Sequence, residues 1–244
     1  MNNMIFIDFD GVLFDTVRES FVTATIASNK AASMQNIDFD TYHYREFFKY
    51  RYLVGPAWNY KCLIDLIYSG QHTDFEKNYR NLIESANNQD ISKYEKIFFN
   101  TRKKLKTLHP IEWLSLNKPY PFLNLIKQLL IDQMDCFTIV TTKDKETVKS
   151  LLLAEGLNFS SYQIYDKEDY SLYQNKAELI KNIINMGNIK NALFIDDNDD
   201  HLNKCRKIQS LELCQPSWGY IGPSDNNLMS ENQVIYKIRL IIGG

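Results

Sequence analysis

The sequence lacks the features that mark disulfide-rich, membrane-spanning or nucleic-acid-binding proteins. Its four cysteines are scattered and form no Cys-x-x-Cys pair, which favours buried thiols in a reducing compartment. No apolar run approaches the roughly 20 residues that a membrane helix needs. The net charge of −2 provides no basic field for nucleic acid. These absences predict a protein without membrane or nucleic-acid partners.

The chain also lacks a basic leader, internal repeats and low-complexity tracts. An acidic residue, Asp8, follows the N-terminus almost at once, so we expect no signal peptide and a cytoplasmic location. With 244 residues, of which 44% are hydrophobic, the chain is longer than one minimal domain and shorter than three.

The chain is organised around a short apolar run, Met4–Ile7, which ends abruptly in Asp8-Phe9-Asp10-Gly11. Such a run predicts a strand buried on both faces, with the acids at its carboxyl end, where open α/β sheets bind ligands. Two carboxylates beside a core are costly unless a cation, hydrogen-bond donors or a function compensates them. We therefore interpret Asp8 as a nucleophile and Asp10 as its acid/base partner, both working around Mg²⁺.

Later apolar runs predict further strands that alternate with helices, which indicates a parallel α/β sheet with right-handed crossovers. The predicted strands are Tyr162–Tyr165, Phe137–Val140, Ala192–Ile195 and Leu211–Cys214. The predicted helices are Phe122–Leu130, Glu146–Glu155, one opened by Lys176 and one over Val234–Ile241.

Polar residues follow two of these strands. The strand predicted over Phe137–Val140 is followed by Thr141-Thr142. The strand predicted over Ala192–Ile195 is followed by four acids within five positions, Asp196–Asp200. Because the acids repel one another, a divalent cation such as Mg²⁺ would relieve them; the alternative is an acidic turn that caps the next helix. Lys176 is notable because a lysine at a helix start opposes the macrodipole, and Lys167 is the competing candidate.

Residues 16–118 are predicted to form a helical block that is inserted after the first strand. The predicted helices are one from Val17, with a Thr16–Glu19 capping box, and Tyr44–Val54, Ala57–Ser69, Phe75–Ile83 and Tyr94–Leu108. Arg51 and Lys61 stand among many aromatic residues in this block. They belong either to ordinary helix faces or to a loop that reaches the Asp8 site and selects the substrate.

These motifs resemble those of the haloacid dehalogenase (HAD) superfamily, in its phosphatase branch with a helical cap. The resemblance rests on Asp8–Thr16, Thr141, Lys176 and Asp196-Asp197, which match the four family motifs in order. Tyr120-Pro121 resembles the usual return from cap to core, and Trp218-Gly219-Tyr220 a loop of phosphoglycolate-phosphatase-like members. The resemblance implies a Rossmann-like, doubly wound core of residues 1–15 and 119–244, with a helical cap of residues 16–118.

The resemblance further implies a Mg²⁺-dependent phosphatase that acts on a small phosphorylated metabolite as a monomer or homodimer. Asp8 would form an aspartyl-phosphate and Asp10 would act as general acid and base. Thr141 and the backbone amides near Phe9, Gly11 and Thr142 would bind the phosphoryl oxygens, and Lys176 would offset charge. The implied metal ligands are Asp8, the Asp10 carbonyl and Asp197, with Asp196 close by.

Three residues bear on the choice of a function within the superfamily. Asp10 favours phosphoryl transfer over dehalogenation, and Ser20 replaces the histidine of sugar-phosphate mutases. After the fourth motif His201 replaces a common acid, and Asp200 is the candidate to take over that role. A phosphotransferase or mutase, and a HAD-fold binding module with little turnover, stay as alternatives. The substrate itself is left open.

Overall fold

The computed structural model describes residues 3–70, 73–223 and 225–243. The chain divides into two compact units, a core unit of residues 1–15 and 119–244 and a helical unit of residues 16–118. The strands are β1 (Asn3–Ile7), β2 (Phe14–Asp15), β3 (Lys118–Pro119), β4 (Phe137–Val140), β5 (Ile164–Tyr165), β6 (Asn191–Ile195) and β7 (Leu211–Cys214). The helices are α1 (Val17–Ala27), α2 (Tyr42–Lys49), α3 (Asn59–Ser69), α4 (Phe75–Ser85), α5 (Asn88–Leu108), α6 (Pro110–Ser115), α7 (Pro121–Asp132), α8 (Lys145–Ala154), α9 (Lys167–Tyr173), α10 (Lys176–Gly187), α11 (Asp199–Cys205) and α12 (Glu231–Gly243).

The core unit is built on a five-stranded parallel sheet with β1 at its centre, in the order β5-β4-β1-β6-β7. Phe6 and Phe194 pack in one cluster with apolar residues of α10 and α11. Ile5 and Ile7 point to the opposite face, because side chains alternate along a strand, and they are also fully buried. The sheet is therefore covered on both faces, and the predicted parallel α/β architecture is confirmed.

Several predicted boundaries in the core unit need correction. The strand expected over Tyr162–Tyr165 is only Ile164–Tyr165, because Ser160 and Gln163 cap a 3₁₀ turn at Ser161–Gln163. Helix α9 is missing from the sequence-based interpretation. Its start is fixed by a capping box between Asp166 and Asp169, a spacing with two acids rather than the usual hydroxyl and glutamate.

In the helical unit, a series of aromatic contacts connects α1, α2, α3 and α5. The ring centroids of Phe21 and Phe47 are 5.1 Å apart, those of Phe47 and Tyr60 5.7 Å, and those of Tyr60 and Phe98 5.3 Å. The hydroxyl of Tyr60 lies 3.0 Å from that of Ser20 and donates to it. The aromatic residues that are abundant in this block therefore form its core.

The boundaries of this unit also differ from those expected. The helix predicted over Tyr44–Val54 ends at Lys49 and continues as a 3₁₀ turn, Arg51–Leu53. Helix α3 begins at Asn59 rather than at Ala57, and α6 follows α5 with a proline at its start. No helix among the described residues is long and apolar enough to cross a membrane.

The capping box predicted for α1 is wrong. Thr16 precedes the helix, but its side chain makes no capping hydrogen bond. Glu19 instead receives two hydrogen bonds from the guanidinium of Arg102, at 2.9 and 3.0 Å, and one from the hydroxyl of Thr23 at 2.8 Å. Both members of this ion pair are buried, so tertiary pairing outweighs the local capping option.

The buried pair predicts a specific stability effect. Arg102→Met should lower the free energy of unfolding by about 3–5 kcal/mol, because it leaves the Glu19 carboxylate buried without its cation. The double variant with Glu19→Gln should recover much of that loss, since no uncompensated charge is left. Urea unfolding measures both variants. Equal destabilisation in the single and double variants would contradict this account.

Candidate active site

Three strands of the core sheet end side by side and carry polar residues at their carboxyl ends. The amide of Asp8 donates to Ile195 O at 2.9 Å, that of Thr141 to Tyr165 O at 3.0 Å and that of Asp196 to Cys214 O at 3.2 Å. These bonds extend the sheet ladders by one residue, so the side chains start from fixed backbone positions. The order of strands reverses beside β1, and this is the point where open α/β sheets bind ligands.

Lys176 joins two of these carboxylates. Its Nζ lies 2.8 Å from Asp8 Oδ2 and 2.8 Å from Asp196 Oδ2, and its side chain is 1% exposed. The position at the start of α10 is unfavourable for a cation by the helix dipole, but the two carboxylates outweigh that small effect. Lys167, the competing candidate, lies at the start of α9 and pairs with Glu168 at 3.3 Å.

The three charges shift one another's protonation. Burial raises the pKa of Asp8 to about 6, because Lys176 offsets only part of the desolvation and Asp196 adds repulsion. For Asp196 burial acts in the same upward direction, but Lys176 and then His201 outweigh it and lower its pKa to about 2. Burial lowers the pKa of Lys176, yet Asp196 and Asp8 together raise it above its ordinary value. Lys176 and His201 therefore favour the charged form of Asp196, whereas burial and the neighbouring Asp196 favour the protonated form of Asp8.

Asp196 is held from its other side by His201. The imidazole Nδ1 lies 3.0 Å from Asp196 Oδ2, and the amide of Asn198 donates to Asp196 Oδ1 at 2.8 Å. His201 is buried, whereas Asp200, the expected substitute for the missing acid, is exposed on α11. The structure thus places His201 as the residue that supports Asp196.

Asp197 is buried between two loops. The amide of Tyr220 donates to its Oδ2 at 2.6 Å, and the Gln215 side chain donates to its backbone oxygen at 3.0 Å. A Cβ on Gly11 would overlap the Asp197 carboxylate, and a Cβ on Gly219 would overlap both Asp197 and the Gly11 carbonyl. Glycine at both positions therefore lets the loop after β1 and the loop at 218–220 close on this carboxylate.

For Gly11 the structure corrects the expected role. Its amide donates to Phe14 O at 2.9 Å, and the amide of Phe9 donates to Asp8 Oδ1 at 2.7 Å, so neither is presented as a phosphate donor here. Gly11 has a φ of +83°, which favours glycine and makes the tight turn after β1. Its contribution is this turn and the space for Asp197.

Thr141 and the residues after it form the third part of the site. The Thr141 hydroxyl is buried and accepts a hydrogen bond from the Lys143 amide at 3.2 Å, while Thr142 is half-buried. Lys143 Nζ lies 2.9 Å from Asp10 Oδ1. The sequence-based interpretation passed over Lys143, although it follows the two threonines directly and its place after a strand end was the available signal.

Arg51 and Lys61 lie in the helical unit. Arg51 is buried, its Nη1 donates to Val54 O at 3.2 Å, and its guanidinium stands over the Tyr60 ring at 5.2 Å. Lys61 is exposed and pairs with Asp65 one helical turn later. Both side chains contact residues of their own unit, and their role in substrate recognition stays a prediction.

The charges of the core site fit a divalent cation. Four carboxylates, those of Asp8, Asp10, Asp196 and Asp197, face two ammonium groups, those of Lys143 and Lys176. Ligand atoms of Asp8, Asp196 and His201 lie within 4.8 Å of one another, but the Lys176 ammonium already pairs with one oxygen of each acid of that group. The remaining oxygen donors, on Asp8, Asp197 and the Asp10 backbone, are of the kind that Mg²⁺ prefers.

Neither a protein-family model nor a curated protein matches the sequence, but solved structures match the fold over nearly the whole chain. A haloacid dehalogenase-like hydrolase from Streptococcus pneumoniae is 14% identical, covers 97% of this chain and 98% of its own, and has a TM-score of 0.57. A predicted phosphatase from Clostridium acetobutylicum is 17% identical, with 100% of both chains covered and a TM-score of 0.59. A predicted phosphoglycolate phosphatase from Haemophilus somnus is 13% identical, with 97% of both chains covered and a TM-score of 0.58. The chain therefore has the fold of the haloacid dehalogenase-like hydrolases over nearly its whole length.

The packing around Asp197 predicts that Gly219→Ala weakens metal binding. The added methyl group must displace either the Asp197 carboxylate or the loop after β1, so we expect at least about a tenfold loss of Mg²⁺ affinity, or about 1.4 kcal/mol. Calorimetric titration with Mg²⁺ measures it. Gly243→Ala is the control, because a Cβ there has no neighbour within 4 Å. Unchanged affinity in Gly219→Ala would contradict the assignment of Asp197.

The raised pKa of Asp8 predicts how pH affects the metal-free protein. The folded-state pKa of about 6 exceeds the ordinary 3.8, so the folded protein binds the proton more tightly than the unfolded chain does. This stabilisation is complete below about pH 4 and is lost as the pH rises through about 6. Relative to wild type, Asp8→Asn should gain about 2 kcal/mol of unfolding free energy between about pH 4 and about pH 7.

Urea unfolding in the presence of a chelator, at several pH values, measures this difference. Asp132→Asn, at an exposed position on α7, is the control and should follow the wild-type curve. If the difference between Asp8→Asn and wild type does not change with pH, Asp8 does not carry the proton assigned to it.

Proposed function

We propose that the protein is a Mg²⁺-dependent phosphatase that hydrolyses a small phosphorylated metabolite through an aspartyl-phosphate on Asp8. The observation that carries this proposal is the pairing of Asp8 with Lys176 at the end of the central strand, with a second acid, Asp10, two residues later. The structural relatives named as phosphatases support the same reaction class. Asp10 distinguishes phosphoryl transfer from dehalogenation, which needs no acid at that position.

The first chemical step is attack by the Asp8 carboxylate on the substrate phosphorus. A bond forms between a carboxylate oxygen and phosphorus, and the bond from phosphorus to the leaving oxygen breaks. The Asp10 carboxyl gives its proton to that oxygen, so the product leaves as a neutral alcohol. With a pKa near 6, Asp8 is largely ionised at neutral pH and is available as the nucleophile.

The second step returns the enzyme to its starting state. Asp10, now a carboxylate, takes a proton from water, and the resulting hydroxide attacks the phosphorus. The bond between phosphorus and Asp8 breaks, inorganic phosphate leaves, and Asp8 is again a carboxylate. The order of events requires Asp10 to act first as acid and then as base, in agreement with microscopic reversibility.

The neighbouring residues would stabilise charge during both steps. Lys176 holds the Asp8 carboxylate in position and offsets negative charge that develops beside it. The buried Thr141 hydroxyl, which accepts from the Lys143 amide, keeps its own proton to donate to a phosphoryl oxygen. When bound, Mg²⁺ would be held by Asp8, Asp197 and the Asp10 carbonyl, with Asp196 nearby, and would supply positive charge for the phosphoryl oxygens.

The position expected to hold a histidine in the sugar-phosphate mutases is Ser20, whose hydroxyl receives the Tyr60 hydrogen bond inside the helical unit. The histidine typical of the mutases is therefore absent and Ser20 is engaged within the helical unit, so hydrolysis is favoured over transfer to a second substrate oxygen. Product analysis that finds the phosphoryl group on an acceptor other than water would favour the phosphotransferase alternative.

Phosphate release from para-nitrophenyl phosphate and from a panel of metabolite phosphates tests the proposal. The wild type should require Mg²⁺, and Asp8→Asn should lose at least about 10⁴-fold in kcat/KM because the nucleophile is absent. Asp132→Asn should keep wild-type activity. Absence of Mg²⁺-dependent release from every substrate, or full activity in Asp8→Asn, would refute the proposed function.

Substitution of Asp10 should affect turnover much more than metal binding. Asp10→Asn should still bind Mg²⁺, because the ligand assigned at this position is the backbone carbonyl, whereas its turnover should fall by about 10²–10⁴-fold. Calorimetry and phosphate release measure the two properties separately. Loss of Mg²⁺ binding in this variant would overturn the assignment of the carbonyl as the ligand.

A further inference from the structure

We propose that Lys143 is a positioning residue that orients the carboxyl group of Asp10 for proton transfer. This inference rests on the proposed function, because it concerns the general acid of that reaction. Lys143 Nζ lies 2.9 Å from Asp10 Oδ1, so a charge-assisted hydrogen bond fixes the rotation of the carboxylate about its last torsion. The direction in which Oδ2 points is then set as well.

The backbone around Lys143 is anchored from two sides. Its amide donates to Thr141 Oγ1 at 3.2 Å, and its carbonyl accepts from the Lys167 amide at 3.3 Å. The next residues are tied down too, because the Lys145 amide donates to Asp166 Oδ2 at 3.0 Å and Asp144 caps α8. The loops after β4 and β5 therefore hold the origin of the lysine side chain in place.

The burial of the two side chains distinguishes a lysine that delivers the proton itself from one that positions Asp10. Its side chain is 1% exposed, whereas that of Asp10 is 15% exposed. Asp10 can therefore be reached by a substrate, while the Lys143 ammonium lies behind it. Lys143 acts through Asp10 and does not itself deliver the proton.

The two acids that follow β1, Asp8 and Asp10, then each have a different lysine partner. Lys176 reaches Asp8 from the start of α10, and Lys143 reaches Asp10 from the loop after β4. Because a buried ammonium costs several kcal/mol unless it is paired, each lysine stays with its carboxylate. This arrangement separates the orientation of the nucleophile from that of the proton donor.

The dependence of the rate on the leaving group tests the inference. Para-nitrophenolate leaves readily without a proton, whereas an alkoxide needs one from the general acid. Lys143→Met should therefore lower kcat/KM, which reports on formation of the aspartyl-phosphate and not on its hydrolysis, by about 10²-fold for an alkyl phosphate such as glycerol phosphate and by less than about fivefold for para-nitrophenyl phosphate. In the Asp10→Asn background, Lys143→Met should cause no further loss for the alkyl phosphate, because the group it positions is already absent.

Lys149→Met, which removes a lysine that contacts only the Ser161 hydroxyl at 3.2 Å on the surface, is the matched control. Thermal unfolding and Mg²⁺ titration establish that each variant folds and binds the metal. If Lys143→Met does not fold, Lys143→Gln keeps a hydrogen-bond donor and should show the same substrate dependence in weaker form.

Equal losses with both substrates, no loss with either, or additive losses in the Asp10→Asn background would each overturn the inference while leaving the proposed function intact. Absence of phosphate release from both substrates by the wild type would instead refute the proposed function, and this inference with it.

Discussion

The core of this protein depends on a lysine shared by two buried carboxylates. Lys176 lies 2.8 Å from both Asp8 and Asp196, at the edge where the central strands end. Removing the lysine would leave the two buried carboxylates without their shared cation, so the three groups depend on one another's positions. Because Lys176 and His201 stabilise Asp196 as an anion, the pKa of Asp8 is raised by its own burial and also by repulsion from that anion. That imbalance makes Asp8 the group that benefits from a bound cation.

Glycine supplies the second constraint. Asp197 lies against Gly11 and Gly219, neither of which has space for a side chain. The loop after β1 and the loop at 218–220 are thereby brought to one carboxylate, although they are about 200 residues apart in the chain. Trp218 reinforces this closure, since its Nε1 donates to Val12 O at 3.1 Å. The geometry of the acids therefore rests on backbone contacts as much as on charge.

Much of the core architecture follows from the sequence, because each buried strand is a compact apolar run that ends in polar residues. The alternation of these runs with helical periodicity predicts the parallel sheet, and parallel strands bring Asp8, Thr141 and Asp196 to one edge. Partners that depend on tertiary contact are not predictable in this way. Glu19 satisfies a capping pattern locally, yet it pairs with Arg102, which lies 83 residues away.

The same limit explains the two residues of the site that sequence reasoning misjudged. Lys143 resembles any lysine at the start of a loop until the fold brings Asp10 to within 2.9 Å of it. Gly11 resembles a phosphate-binding glycine, but its amide bonds to Phe14 O within the turn. Side-chain chemistry and strand position can be read from the chain, whereas the partner of each donor depends on how the loops close.

The central claim is that Asp8 is the residue that carries the phosphoryl group. Trifluoroberyllate binds to a carboxylate in place of that group, and fluorine NMR detects it on the protein. The account predicts bound fluorine resonances that require Mg²⁺ and vanish in Asp8→Asn. Resonances that persist in Asp8→Asn, or none with the wild type in the presence of Mg²⁺, would contradict it.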